Sequence, residues 1–495
     1  MAKISIIGSG FSGLAAACFA AKDGHEVTVF EKNSTIGGRA RTYQEQGFTF
    51  DMGPSWYWMP DIFEHFFNQF GKSASDYYHL QKLDPGFQLI FPQDETMDVP
   101  ADLPALYAMF ESVEPGSTKA LTRFLKEAEF KYNIGMKELV YKPAFSWMEY
   151  ANKDVILGML KSNVFSSVSG YVRKYFKDPR LIALLEFPVL FLGAMANKIP
   201  ALYTMMNYSA LVQGTWYPEG GMHKIIEGMH SLALSLGVQF KTDAAVTAIK
   251  VAGEQVYALE TNEGTVLTDG VIASADYNHV EQMLLEPQYR NYTPDYWDKK
   301  TFAPSCLIFY LGVKKKIPKL QHHNLFFDAD IDRHAAEIYS EPQWPNNPLF
   351  YVCCPSKTDP SVAPEGMENI FILIPIATGL TDSDEKRESY FDGVIKRIEV
   401  RVGVEFRSDI IYKKSYCLDN FVSDYNAFAG NAYGLANTLM QTAVLKPSMK
   451  NSRLNNLFYT GQLTVPGPGV PPALISGQVA AGELLKSLNK IKVKT

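Results

Sequence analysis

A chain of 495 residues is long enough for a large buried core and for roughly two to four domains. Its 47 Lys and Arg against 53 Asp and Glu give a formal net charge of -6, which argues against a surface built to neutralise nucleic-acid phosphates. Cys18, Cys306, Cys353, Cys354 and Cys417 show neither paired nor zinc-type spacing, so structural thiols in a reducing compartment are expected.

Lys3 to Ile7 reads as a β-branched strand, Phe11 to Asp23 as a helix of small residues ended by Gly24, and Glu26 to Phe30 as a second strand. The N-terminus enters this βαβ unit without a charged leader, so cytoplasmic synthesis is expected. From about Ala101 to Ser209 the text turns helical and rich in Leu, Phe, Tyr and Met. Within it, Leu181 to Ala196 is the most apolar run, but Glu186 and Pro188 interrupt it, and no run reaches the ~20 residues that span a bilayer. It reads as a buried helix pair, with a tunnel wall or a patch dipping into a membrane interface as the sharper alternative. Strands resume as a meander, Ala244 to Val251, Gln255 to Thr261 and Thr265 to Leu267, followed by a core strand at Val271 to Ala275. Leu307 to Val313, Leu349 to Cys353 and Asn369 to Ile376 suggest a second sheet, and Lys314 to Lys316 a solvated turn. Leu457 to Leu488 closes the chain with a strand, a Pro- and Gly-rich loop and a helix.

Gly8, Gly10 and Gly13 fit GxGxxG, which follows a strand and opens a helix. The first glycine permits the tight turn, the second admits a pyrophosphate to the backbone, and the third lets the helix pack closely. Glu31 ends the next strand, placed to accept hydrogen bonds from a ribose and to disfavour a 2′-phosphate, which leaves FAD or NAD. The run Gly37-Gly38-Arg39-Ala40-Arg41-Thr42 favours FAD, because two arginines beside a close-approach loop suit a diphosphate already held at a helix N-terminus.

The glycine fingerprint, GGRART and Phe50 to Trp56 (FDMGPSW) resemble the opening of the flavin amine oxidase and carotenoid desaturase superfamily. Trp216 to Met222 (WYPEGGM) and Gly461 to Pro471 (GQLTVPGPGVP) are similar to bacterial-type carotenoid desaturases, such as phytoene desaturases and hydroxycarotenoid 3,4-desaturases. The resemblance spans essentially the whole chain. It implies an α/β fold: a discontinuous Rossmann-like FAD-binding domain (1–75, 215–290 and 446–495), an inserted β-sheet substrate domain (76–100 and 291–445) and a helical region (101–214) that could face the membrane. It puts Gly8, Gly10 and Gly13 at the pyrophosphate, Glu31 at the ribose, Arg39 at the diphosphate and Val246 at the adenine. Gly53 and Pro54 would approach the isoalloxazine, Gly461 and Gln462 the ribityl chain, and Gly469, Val470 and Pro471 the pyrimidine edge. Phe11, Ser12, Lys32, Gly38 and Ser55 flank these positions and are counted with them. A helix beginning near Pro472 would aim its positive end at the N1 and O2 of a reduced flavin.

The resemblance implies an enzyme that introduces C=C bonds into an acyclic or monocyclic carotene by hydride transfer to flavin N5, either a 1′-hydroxylated carotene such as 1′-hydroxy-γ-carotene or phytoene. It also implies a peripheral position on the inner face of the cell membrane. A polyene offers little to hydrogen-bond, so an apolar channel is expected, with Trp56, Trp58 and Trp216 as candidate substrate contacts. Glu219 and Asp51 are the candidate proton acceptors, without an assigned role. No metal site is expected, since His322 and His323 lack Cys or carboxylate ligands nearby in the sequence. A flavin-dependent carotene isomerase, a flavin amine oxidase and a non-catalytic prenyl-lipid carrier remain alternatives.

Overall fold

Five short strands, Lys3–Ile7 (β1), Glu26–Phe30 (β2), Gln239–Lys241 (β3), Gly270–Ala273 (β4) and Leu457–Tyr459 (β5), form an all-parallel sheet in the order β3-β2-β1-β4-β5 in the computed structural model. The structure describes residues 1–93, 95–150 and 166–494, so the part of the predicted helical region at 151–165 lies outside the described residues. β1, β2, β4 and β5 are mainly apolar because both faces of the sheet are covered. Ile4, Ile6, Val27, Val29, Ile272 and Phe458 pack under helices Phe11–Lys22 (α1), His223–Ser235 (α2) and Val470–Lys494 (α3). Ile7, Phe30, Val271 and Tyr459 face the other way, toward an antiparallel meander of Val246–Ala252, Gln255–Thr261 and Gly264–Leu267. The alanines of α1 leave room for α3 to lie close against it.

A seven-stranded mixed sheet follows the order Ile410–Tyr416, Ser305–Val313, Glu368–Ile376, Phe350–Cys353, His323–Phe326, Phe87–Ile90 and Thr96–Val99. Alternation sorts its faces. Leu307, Phe309 and Leu311 pack with Ile370, Ile372 and Ile374 under the amphipathic helix Asp384–Val402. Cys306, Ile308 and Tyr310 point to the opposite side, into the core shared with the helical region. The three strands read from sequence in this stretch are present. Ile410–Tyr416 lacks a hydrophobic run on its exposed, lysine-bearing edge, and His323–Phe326 opens on His and Asn, so neither carries a strand pattern in the sequence.

Two local expectations are met and gain detail. Leu181 to Ala196 is a helix over Pro179–Glu186 and a tighter 3-10 segment over Phe187–Leu192, closed at Gly193. Leu181, Leu184, Val189 and Ala196 lie in the core and Leu192 reaches the central cavity, so this run is interior wall and not a membrane-dipping patch. The C-terminal helix starts at Val470, two residues before Pro472, with both prolines in its first turn where a missing N–H costs nothing. No described helix is long and apolar enough to cross a membrane.

Candidate active site

One cavity of about 890 Å³ opens where the parallel strands end. Gly8 to Ser12 follow β1, Glu31 to Asn33 follow β2, Ser274 to Asp276 follow β4, and Thr460 to Leu463 follow β5, and all of them line it. This is the crevice at the carboxyl ends of an open α/β sheet, where ligands of such folds bind. From there the cavity continues between the mixed sheet and the helical region.

The glycine turn is shaped by contact. A Cβ on Gly13 would stand 2.1 Å from Gly8 O, so only glycine lets α1 start this close to β1. Gly38, at a φ of +55°, lies over the turn, and a Cβ there would come 3.2 Å from Gly10 Cα. The Glu31 carboxylate is buried; it accepts from Ser9 N (3.1 Å) and Ser9 Oγ (2.6 Å), and from Asn33 N (2.9 Å) and Nδ2 (3.0 Å). Lys32 donates to Ser423 O at 2.5 Å.

Arg39 is held by one Nη2 bond to Asn431 O (3.1 Å) and lies 4.9 Å from the centre of the Tyr425 ring. Its Nε is buried without a partner. Burial lowers the guanidinium's pKa, while Tyr425 and Asp276 work in the other direction. A cation with a buried, unused donor, beside a helix N-terminus and a cavity-facing glycine turn, suits the diphosphate of a dinucleotide. Arg41 is spoken for, paired with Asp424 at 2.5 Å. The N-terminus of α3 contributes Val470, Pro471 and Pro472 to the wall; the two prolines have no N–H to offer, so this end acts on the same space through the positive end of its dipole.

Beyond the dinucleotide cradle the lining turns apolar. Trp56, Trp58, Met136, Leu139, Met205 and Met206 belong to it, with few polar groups, among them Lys142, Tyr150 and Tyr203. Trp58 Nε1 donates to Thr215 Oγ1 (2.9 Å), and Trp56 stacks on His323 with ring centres 4.1 Å apart and planes 11° from parallel. At the outer rim Trp147 is 62% and Met440 72% exposed while both still line the cavity.

Of the residues singled out from sequence, Gly8, Gly10, Phe11, Ser12, Glu31, Lys32, Gly38, Arg39, Gly53, Pro54, Ser55, Val246, Gly461, Gln462, Gly469, Val470, Pro471, Trp56 and Trp58 converge on this one cavity. Gly13 supports it from behind. Three do not reach it, which corrects the expectation for each. Asp51 accepts from Met222 N (2.7 Å) and His223 N (3.1 Å), anchoring the start of α2, and burial pushes its carboxyl up to about 7. Glu219 is exposed at the surface turn before Gly220. Trp216 Nε1 donates to Gln213 O (2.9 Å), and its ring packs beside the α1–α2 core. The motif that carries Trp216 and Glu219 therefore builds the scaffold: a bridge pairs Tyr57 with Trp216.

Several lining residues escaped the sequence reading. Ser274, Ala275 and Asp276 were findable, because they follow a core parallel strand at its carboxyl end. Asp424 and Tyr425 end the short helix Leu418–Tyr425 and Ala432 lies in the loop that follows, none of them within a motif. Folding adds a neighbour that the sequence spacing does not show: strand pairing sets His323 opposite Cys353, and donor atoms of His322, His323 and Cys353 lie within 4.8 Å of one another.

The sequence profile described as "Flavin containing amine oxidoreductase" matches residues 11–485. A carotenoid 3,4-desaturase of Haloarcula japonica is 41% identical over 487 residues, covering 98% of each chain. A zeta-carotene-forming phytoene desaturase of Myxococcus xanthus is 31% identical, covering 98% of this chain and 94% of its own. Among solved structures, putrescine oxidase bound to putrescine superposes with a TM-score of 0.60 at 13% identity, covering 98% of this chain and 99% of that one, a likeness of fold alone.

Proposed function

The chain belongs to the flavin-containing amine oxidoreductase family, among its carotenoid desaturases, and from that premise we propose that it is an FAD-dependent desaturase of an acyclic or monocyclic carotene. The substrate we favour is a 1′-hydroxylated carotene such as 1′-hydroxy-γ-carotene, desaturated at the 3,4 position as the Haloarcula relative's name describes, with phytoene as the second substrate to test. The observation that carries this reading is the continuity of one cavity from a dinucleotide cradle into an apolar tunnel.

Bound FAD would supply the hydride acceptor, at N5. The protein's own residues do the rest. Glu31 offers a buried carboxylate to a ribose, Arg39 a guanidinium to the diphosphate, and the α3 N-terminus a positive end to an electron-rich ring. Trp56, Trp58 and the methionines exclude water and bind the polyene by burial, at ~25 cal/mol per Å². On this reading 1–75, 215–290 and 446–495 serve the cofactor, 76–100 and 291–445 the substrate, and the helical region roofs the tunnel.

The exposed rim of Trp147, Met148 and Met440 supports peripheral docking on the membrane that stores such a substrate. The test is anaerobic mixing of flavin-loaded protein with each carotene. Bleaching of the flavin's visible band together with a longer-wavelength polyene band is expected, and an unchanged flavin with both carotenes would overturn the proposal. A product isomeric with its substrate, formed without flavin bleaching, would point to an isomerase.

A further inference from the structure

Behind the Trp56 wall of the cavity lies a polar cluster that the desaturase reading does not use. His322 and His323 are 3% and 0% exposed and Cys353 is 2% exposed, with their donor atoms within 4.8 Å of one another. Each imidazole is hydrogen-bonded through Nδ1 to a hydroxyl, His322 to Thr358 Oγ1 at 2.7 Å and His323 to Tyr351 Oη at 2.6 Å. With the proton on Nδ1 in each ring, Nε2 carries a lone pair free to bind. Both Nε2 atoms are buried without a hydrogen-bond partner.

Two buried imidazole nitrogens without a hydrogen-bond partner, beside a thiol, are costly unless something occupies the space between them. Ring Nδ1–H groups donated to hydroxyls are also the outer contacts that orient histidines as metal ligands. We propose that His322, His323 and Cys353 form a three-donor site for a thiophilic closed-shell cation, Zn²⁺ or Cu⁺. Donors of one tetrahedral ion lie about 3.3–3.6 Å apart, so a pair at the 4.8 Å limit needs to close by about an ångström, within reach of side-chain rotation. The Cys353 thiol releases its proton to solvent as the sulfur–metal bond forms, and no oxidation state changes. The two strands carrying the ligands are paired, His323 with Cys353, so the ion would lock that pair and, through the stacked His323, the plane of Trp56. Its role is positional and independent of which substrate fills the tunnel.

The test uses the full-length, flavin-loaded protein. Elemental analysis should find about one zinc or copper per chain, and reconstitution with Co²⁺ should give tetrahedral cobalt bands in the red, beyond the flavin's own absorption. Cys353→Ser and His323→Gln should each lose the metal while keeping flavin bound per chain. The proposal is overturned if the wild-type protein, as isolated and after reconstitution with Zn²⁺, Cu⁺ or Co²⁺, holds no stoichiometric metal and shows no cobalt bands. Equal metal content in the wild type and both variants would overturn it as well.

Discussion

Glu31 is the residue on which cofactor affinity should depend most clearly. Its carboxylate is buried and already organised by Ser9 and Asn33, so a ribose would meet a fixed acceptor. Glu31→Gln keeps the shape but removes the charge, and a hydrogen bond to a charged group is worth about 1.5–3 kcal/mol. FAD affinity, followed by quenching of flavin fluorescence, should therefore fall by roughly 10- to 150-fold; an unchanged Kd would remove Glu31 from the site. Asp51 titrates in the opposite sense to a paired surface carboxylate. Burial raises it from 3.8 to about 7, so the folded state holds a proton that the unfolded chain gives up. Its contribution to stability is full below about pH 4 and is lost as the pH rises toward 7. Asp51→Asn should flatten that slope between pH 4 and 7 in denaturant titrations, and an identical slope in the variant would show that Asp51 is not its source.

At the scale of elements, the turn between β1 and α1 is the tightest constraint. Gly13→Ala would drive a Cβ to 2.1 Å from Gly8 O, and the helix must move away. Overpacking of this kind costs about 1–3 kcal/mol, here at the loop that cradles the diphosphate. Purified Gly13→Ala should be both less stable and depleted of flavin, and a yellow protein of wild-type Tm would contradict the packing argument. The rim is a separate element with a separate readout. Trp147→Ser combined with Met440→Ser removes two exposed apolar side chains, each worth about 1.5–3 kcal/mol when fully buried in an apolar phase. Sedimentation with phospholipid vesicles should drop at least tenfold; unchanged sedimentation would place membrane contact elsewhere.

Across the whole molecule, what could be read in the sequence was local and what could not was long-range. Gly8, Gly10 and Gly13 announce a turn because steric demand falls on those residues themselves, and Glu31 follows from the strand that precedes it. The apolar stripe at Met205 and Met206 has the same helical spacing whether it fills a core or lines a tunnel, so only packing decides. Asp51 and Glu219 sit in motifs near the flavin loops, yet strand direction turns one toward α2 and the other to solvent. Cys353 meets His323 only through the register of two strands far apart in sequence. The same sheet then joins cofactor cradle and tunnel into one space, which is what a flavin enzyme acting on a long apolar substrate requires.

The most direct measurement of that claim is the product of the flavin-loaded protein given 1′-hydroxy-γ-carotene and, separately, phytoene, followed by absorption and mass spectrometry. The account predicts a red-shifted polyene band and the loss of two hydrogens for each double bond introduced into at least one of them. Flavin-loaded protein that leaves both carotenes unchanged in spectrum and mass would contradict it.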